Sequence, residues 1–316
     1  MIQPSPSSRP RRWLRRLVVA GLLLLALPPL GWALWLQLAH RDVPPPTTEE
    51  IDRGLRQGLG WIRTHEAEVL GQGNAMLWRM LLDAAALNHD ADLQRLLRAH
   101  RARYFPDPSR NAWQRLMYRD STAAVDRWEM LDVMPYQRFF LYAISCDPAL
   151  AGEPVVQAQL ARGACRPAWL SPFGSDAACR THQLMGLMLM REHGCGDKAR
   201  VAELTAHAQD DIVRELQVDF RSRDPYVQRV LMLYWTGVPE RVRPAWLRRV
   251  LQAQRPDGGW ADRQPILELP GGRVLQFGGY AENHRLTLQP AQSDFHATAQ
   301  GILLLSLVKA QQAGKR

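Results

Sequence analysis

The first 39 residues contain no aspartate or glutamate, and the 23 from Leu17 to Ala39 carry no charge of either sign. That length matches the roughly 20 apolar residues a helix needs to cross a bilayer core of about 30 Å, and it excludes a solvated loop. No N-x-S/T glycosylation acceptor occurs anywhere in the chain, which weighs against a secretory-pathway lumen. Cysteine is sparse, at four residues. No run of alternating apolar residues precedes Gln264, so a sheet-based fold is excluded for most of the sequence. A disordered chain is excluded too, because 46% hydrophobic residues over 316 positions are enough to build a large core.

What is present before the apolar run is a cluster of five arginines, Arg9, Arg11, Arg12, Arg15 and Arg16. Positive charge beside a membrane span stays on the cytoplasmic side, so the expected topology is single-pass with everything after His40 outside the cytoplasm. Residues 1–16 then form a cytoplasmic basic segment and 17–39 an inner-membrane anchor. Residues 40–48 form a Pro-rich spacer and 49–316 one extracytoplasmic domain, with the bacterial periplasm as its compartment. A cleaved signal peptide is the rival reading, disfavoured because the apolar run is long and lacks a clear A-x-A site. Removing those five arginines from the formal net charge of +9 leaves +4 on the remainder, too little to build a phosphate-binding surface. Nucleic acid is therefore not an expected partner.

Past the spacer, apolar residues recur three or four apart. Ile51, Leu55, Leu59 and Ile62 set the stripe of a helix from Thr48 to about His65. Similar patterns run over about 75–87, 91–104, 111–118, 123–134, 136–146, 155–162, 177–193, 198–220, 226–235, 244–255 and 294–312, with Pro or Gly in nearly every break. Ile266 to Leu269 and Arg273 to Phe277, around Pro270-Gly271-Gly272, form a small β-hairpin insertion. Around a dozen helices with short loops predict an all-α solenoid or a closed ring of helical hairpins. The final helix is apolar nearly all round and belongs on the inner layer.

The segment Gln254-Arg255-Pro256-Asp257-Gly258-Gly259-Trp260, preceded by Trp246-Leu247, resembles the Gln-Trp repeat of the α/α-toroid superfamily of terpenoid cyclases and protein prenyltransferases. Asp294-Phe295-His296-Ala297-Thr298-Ala299 is similar to the inner helix that follows such a turn. The likeness covers about 65 residues, 243–308. It implies an α/α toroid in which Gln254 binds backbone at a neighbouring helix end and Trp260 stacks beside it, a structural role. The residues agree, since Asp257-Gly258-Gly259 is turn chemistry and Trp260 an aromatic anchor. The D-x-D-D acid motif of triterpene cyclases is missing, which argues against a cyclase.

Parallel inner helices would gather their positive N-termini at one mouth. Helices starting at Cys179 and Asp294 would bring His182, Asp294, His296 and Gln300 there, with the 264–287 insertion, carrying Tyr280, Glu282, Asn283 and His284, as a cover. Cys179, His182, Asp294 and His296 are a conceivable zinc set, against the simpler reading of a disulfide, a core histidine and a helix-end acid; no metal or other cofactor is the expectation. Asp126, Glu129 and Asp132 recur every third residue and read as an ion-paired face sooner than as an acid and base. Met185, Met188 and Met190, with Trp78 and Trp113, read as packing. If 177–193 is helical, Cys179 and Cys195 lie about 24 Å apart, which removes one of three disulfide pairings. Cys165–Cys179 and Cys146–Cys195 are the expected bonds.

No constellation exceeds its structural explanation, so the expected function is a ligand-binding or envelope-assembly module. The alternative is an enzyme, a hydrolase or lyase on envelope polymers or a metal-assisted transferase, with its site at the toroid mouth.

Overall fold

The computed structural model describes residues 9–118, 121–131, 133–166, 175–218, 224–261, 265–270, 272–277, 286–290 and 292–314. The chain divides into two units, Met1–Asp42 and Val43–Arg316.

The first unit is one helix, α1 (Arg9–Ala39), which runs through Pro28 and Pro29. Its Trp13–Leu38 portion, with a mean hydropathy of 2.2, is long and apolar enough to span a membrane. The arginine cluster belongs to the same helix instead of forming a separate segment.

The second unit is mostly helical. Its helices are α2 (Thr48–Thr64), α3 (Glu66–Leu70), α4 (Ala75–Asn88), α5 (Ala91–Tyr104), α6 (Pro135–Ser145), α7 (Pro148–Ala151), α8 (Pro154–Gln159), α9 (Cys179–His193), α10 (Lys198–Val218), α11 (Asp224–Trp235), α12 (Pro244–Gln252) and α13 (Phe295–Gly314). Local chemistry sets the boundaries. Thr47 opens α2 with a capping box, its hydroxyl accepting from Glu50 N while the Glu50 carboxylate accepts from Thr47 N. Asn74 and Asp90 cap α4 and α5 through their side-chain oxygens. The Pro44 and Pro45 carbonyls accept from Arg248 of α12, and Pro46 accepts from Gln312 of α13. From Pro44 onward the proline-rich stretch is therefore part of the domain and not a free spacer.

The core is layered. Helix α13 buries nearly its whole circumference, from Phe295 to Val308, against α2, α4 and α11. Helix α9 packs against α6, α10 and α11, and α5 and α8 cover α4 and α6. The turn after α12 ties three elements together. Gln254 Nε2 donates to the carbonyls of Gly54, in the middle of α2, and of Gly258, each at 2.8 Å. Trp260 is 1% exposed; its indole N–H donates to Val250 O and its backbone N–H to Thr298 Oγ1. Two glycines make this possible. Gly258 has φ +92° and lies so close to Gln57 that a Cβ would sit 2.4 Å from its carbonyl oxygen, while a Cβ on Gly301 would lie 2.7 Å from the Trp260 ring.

Both cysteine pairs are at bonding distance as expected, Cys146–Cys195 with S–S 1.96 Å and Cys165–Cys179 with S–S 2.05 Å. Disulfides of this kind persist in an oxidising compartment.

Three expectations need correction. Residues 121–126 have no regular secondary structure and lead into a 3-10 turn at Arg127–Met130, where a helix over 123–134 is the sequence expectation. Pro135 holds Met134 in an extended conformation, so no helix can run into α6. Asp126 and Glu129 there form a capping box, Glu129 also accepts from Ala112 N, and Asp132 lies outside the described residues. Over 111–118 a 3-10 turn, Ala112–Leu116, replaces the expected helix, entered through Asn111 at φ 67°. The insertion is a three-stranded antiparallel sheet and not a hairpin: β1 (Pro265–Leu269), β2 (Arg273–Phe277) and β3 (Leu286–Pro290), in that order.

Candidate functional site

The N-terminal turns of α4, α6, α9, α11 and α13 all contribute to the wall of one cavity of about 590 Å³. Each supplies a residue with chemistry: Asn74, the cap of α4; Tyr136 and Gln137 from α6; His182 from α9; Asp224 from α11; His296 from α13. The wall is otherwise largely aromatic and aliphatic, with Phe105, Trp113, Phe140, Met80 and Met185 among its residues. A cavity of this size, apolar with a few convergent polar groups, has the dimensions of a small-ligand site.

The polar groups are arranged in relation to one another. His182 stacks flat on Tyr136, with ring centroids 3.9 Å apart and planes within 9°, and meets Phe140 edge-on. Burial in this aromatic setting, and after it repulsion from positive charge on the neighbouring His296, pushes the His182 imidazole down to about 3, so it is neutral at physiological pH. Tyr136 is pushed up, first by burial and then by the nearby Asp224 charge. Asp224 is 4% exposed, and its Oδ1 accepts from Gln300 Nε2 and lies 4.0 Å from His296 Nε2. The His296 side chain is 42% exposed, which puts it at the opening. Gln228, one turn along α11 from Asp224, accepts from the Thr181 hydroxyl and joins α11 to α9.

Of the four residues expected at the mouth, His182 and His296 both line this cavity. Gln300 does not: it is fully buried one turn below His296 and contacts the site through Asp224. Asp294 is absent from the cavity wall among the described residues. It is the N-cap of α13, accepting from Ala297 N, while its own N–H donates to the Trp260 carbonyl. A cap residue looks along the helix axis and not across the mouth, which is why proximity in sequence to His296 misled. The conceivable zinc set is also dissolved, because Cys179 is bonded to Cys165. No group of three or more His, Cys, Asp or Glu side chains suited to a metal exists among the described residues. Trp113 lines the cavity, whereas Trp78 is fully buried and stacks on His100. Residues Tyr280, Glu282, Asn283 and His284 of the expected cover lie outside the described residues.

Sequence reasoning missed Asp224 and Tyr136. The signal available for Asp224 was Asp224-Pro225, a helix-start dipeptide that moves the beginning of α11 two residues earlier than the apolar pattern does. No protein-family model, no curated protein and no solved structure matches this chain.

Proposed function

We propose that this chain is a membrane-anchored, extracytoplasmic ligand-holding module whose helices form an α/α toroid with its binding site at the mouth. The reading rests above all on the convergence of five helix starts on a single cavity walled by Tyr136, His182, Asp224 and His296. Inner helices of a toroid run parallel, and that arrangement collects their first turns at one end. The apolar helix Trp13–Leu38 and the two disulfides support anchorage and an oxidising compartment. The Gln254–Trp260 turn, which resembles the toroid superfamily's repeat, works here as a tie between α2, α12 and α13.

The test is a titration of the full chain in detergent with envelope building blocks such as amino sugars, peptidoglycan fragments and lipid headgroups, followed by tryptophan fluorescence through Trp113. Saturable binding that is lost in Tyr136→Ala is the expected result. Binding that survives Tyr136→Ala and His182→Ala contradicts the assignment of the site. A second reading, an acid–base enzyme, is favoured by one observation, the approach of Asp224 to His296. Turnover of any bound fragment, abolished in His296→Ala, would replace the binding module with the enzyme.

A further inference from the structure

Two carboxylates are buried among the described residues, and they are treated differently by the fold. Glu215 meets Arg229 at 2.7 Å, an ordinary internal ion pair. Among the described residues Asp224 has no arginine or lysine within ion-pair distance; its neighbours there are the Gln300 amide and, at 4.0 Å, the exposed His296 ring. Nor does any arginine or lysine occur among the described residues that line the cavity. His182 offers no charge, since its stacked ring is held neutral. Among the described lining residues Asp224 is therefore the one carboxylate of an aromatic-walled chamber, with Tyr136 and Phe140 on the same wall.

A buried carboxylate whose described partners are an amide and, at 4.0 Å, a histidine at the opening is incompletely compensated in a low-dielectric setting, and a ligand that supplies a full positive charge relieves that cost. Aromatic faces attract organic cations in addition. The positive ends of the surrounding helices argue for an anion in principle, but at α4 and α13 side-chain caps already engage a first-turn donor. Met76 N donates to Asn74, Ala297 N donates to Asp294, and the negative Asp294 sits at the start of α13. Among the described lining residues an anion would also find no guanidinium or ammonium to meet it.

We infer that the cavity selects a ligand bearing an organic ammonium group, held against Asp224 with its carbon body on the aromatic wall formed by Tyr136 and Phe140. This deepens the ligand-holding reading and rests on it. Such an ammonium has two sources in a cell envelope, a lipid headgroup or an amino sugar, and the chemistry at Asp224 is the same for both.

The experiment uses matched pairs of equal shape and different charge. The full chain in detergent is titrated at pH 7 with choline and its uncharged isostere 3,3-dimethylbutan-1-ol, and with glucosamine and glucose. The expected result is that one charged member binds about tenfold or more tightly than its neutral partner, and that Asp224→Asn, which keeps an acceptor for Gln300, removes the difference. Preference for choline points to the headgroup and preference for glucosamine to the amino sugar. Equal affinity within both pairs overturns the inference while leaving the cavity as a ligand site. Absence of binding by all four probes overturns it as well, and the broader panel above then decides the ligand-holding reading separately. Because the charge comparison is made on the unaltered chain, it does not depend on the variant folding.

Discussion

The turn that closes α12 and the mouth of the cavity are both built from polar groups at helix ends, yet they differ in where those groups are directed. At the turn, Gln254, Asp257 and Trp260 spend their hydrogen bonds on the protein's own backbone and side chains. At the cavity, the polar edges of His182, Asp224 and His296 border open space. The first arrangement holds helices in register, and the second leaves bonding capacity for something else. Polar residues at a helix end thus separate by their partners, not by residue type.

This contrast is broken or sharpened by perturbing each side. Trp260→Ala should have the largest effect. It removes a ring that is 1% exposed and packed on Gly301, and it should cost about 3–5 kcal/mol in denaturant unfolding of the full chain. A loss below about 1 kcal/mol would mean that the turn is not a structural tie.

Acidification comes next and acts through two histidines, His182 at the cavity and His100 stacked on the buried Trp78. His182 and His100 have folded-state values pushed down by burial to about 3 and about 4, against 6.5 in an open chain. Between those values and 6.5 the unfolded chain binds more protons, so stability is complete above about pH 6.5 and falls as pH drops. The expected loss is on the order of 3 kcal/mol per histidine by pH 4. His182→Gln should flatten the slope of unfolding free energy against pH between 6.5 and 4. An unchanged slope would show that the imidazole is not in the buried, stacked position.

Gln254→Ala should be smaller, about 1–3 kcal/mol, because it removes the side-chain donor that links the Gly54 carbonyl of α2 to the Gly258 carbonyl of the turn. The same urea titrations would register it. A neutral outcome would reduce the side chain to a bystander of Trp260.

Much of the fold was legible in the chain because it is written in local patterns. The charge-free run, the three-and-four spacing of Ile51, Leu55, Leu59 and Ile62, and the all-apolar α13 translate directly into helices and burial. The length of α9 removed one of the three cysteine pairings, and the loop that Cys165–Cys179 would close between two helices pointed to the pair observed. The segment before α6 was misread because an i, i+3 recurrence of acids also fits a capping box, and the backbone preference imposed by Pro135 decided between them. Strand β3, Leu286–Pro290, was missed because it offers only Leu286 and Leu288 to an apolar pattern and ends in proline, where β1 and β2 of equal length are richer in apolar residues. The site was half legible. His182 and His296 stood out as histidines near helix starts. Tyr136 and Asp224 did not, since what marks them is a ring stacked across from α9 and a glutamine on α13, contacts between elements far apart in sequence.

The most direct test of the division between a structural turn and a functional cavity is to measure unfolding free energy and ligand affinity together for Tyr136→Phe and Asp224→Asn. The account predicts stability within about 1 kcal/mol of the parent, because both replacements keep the side-chain shape and asparagine keeps an acceptor for Gln300, with ligand affinity reduced about tenfold or more in Asp224→Asn. Stability that falls as far as in Trp260→Ala, with ligand affinity unchanged, would contradict it.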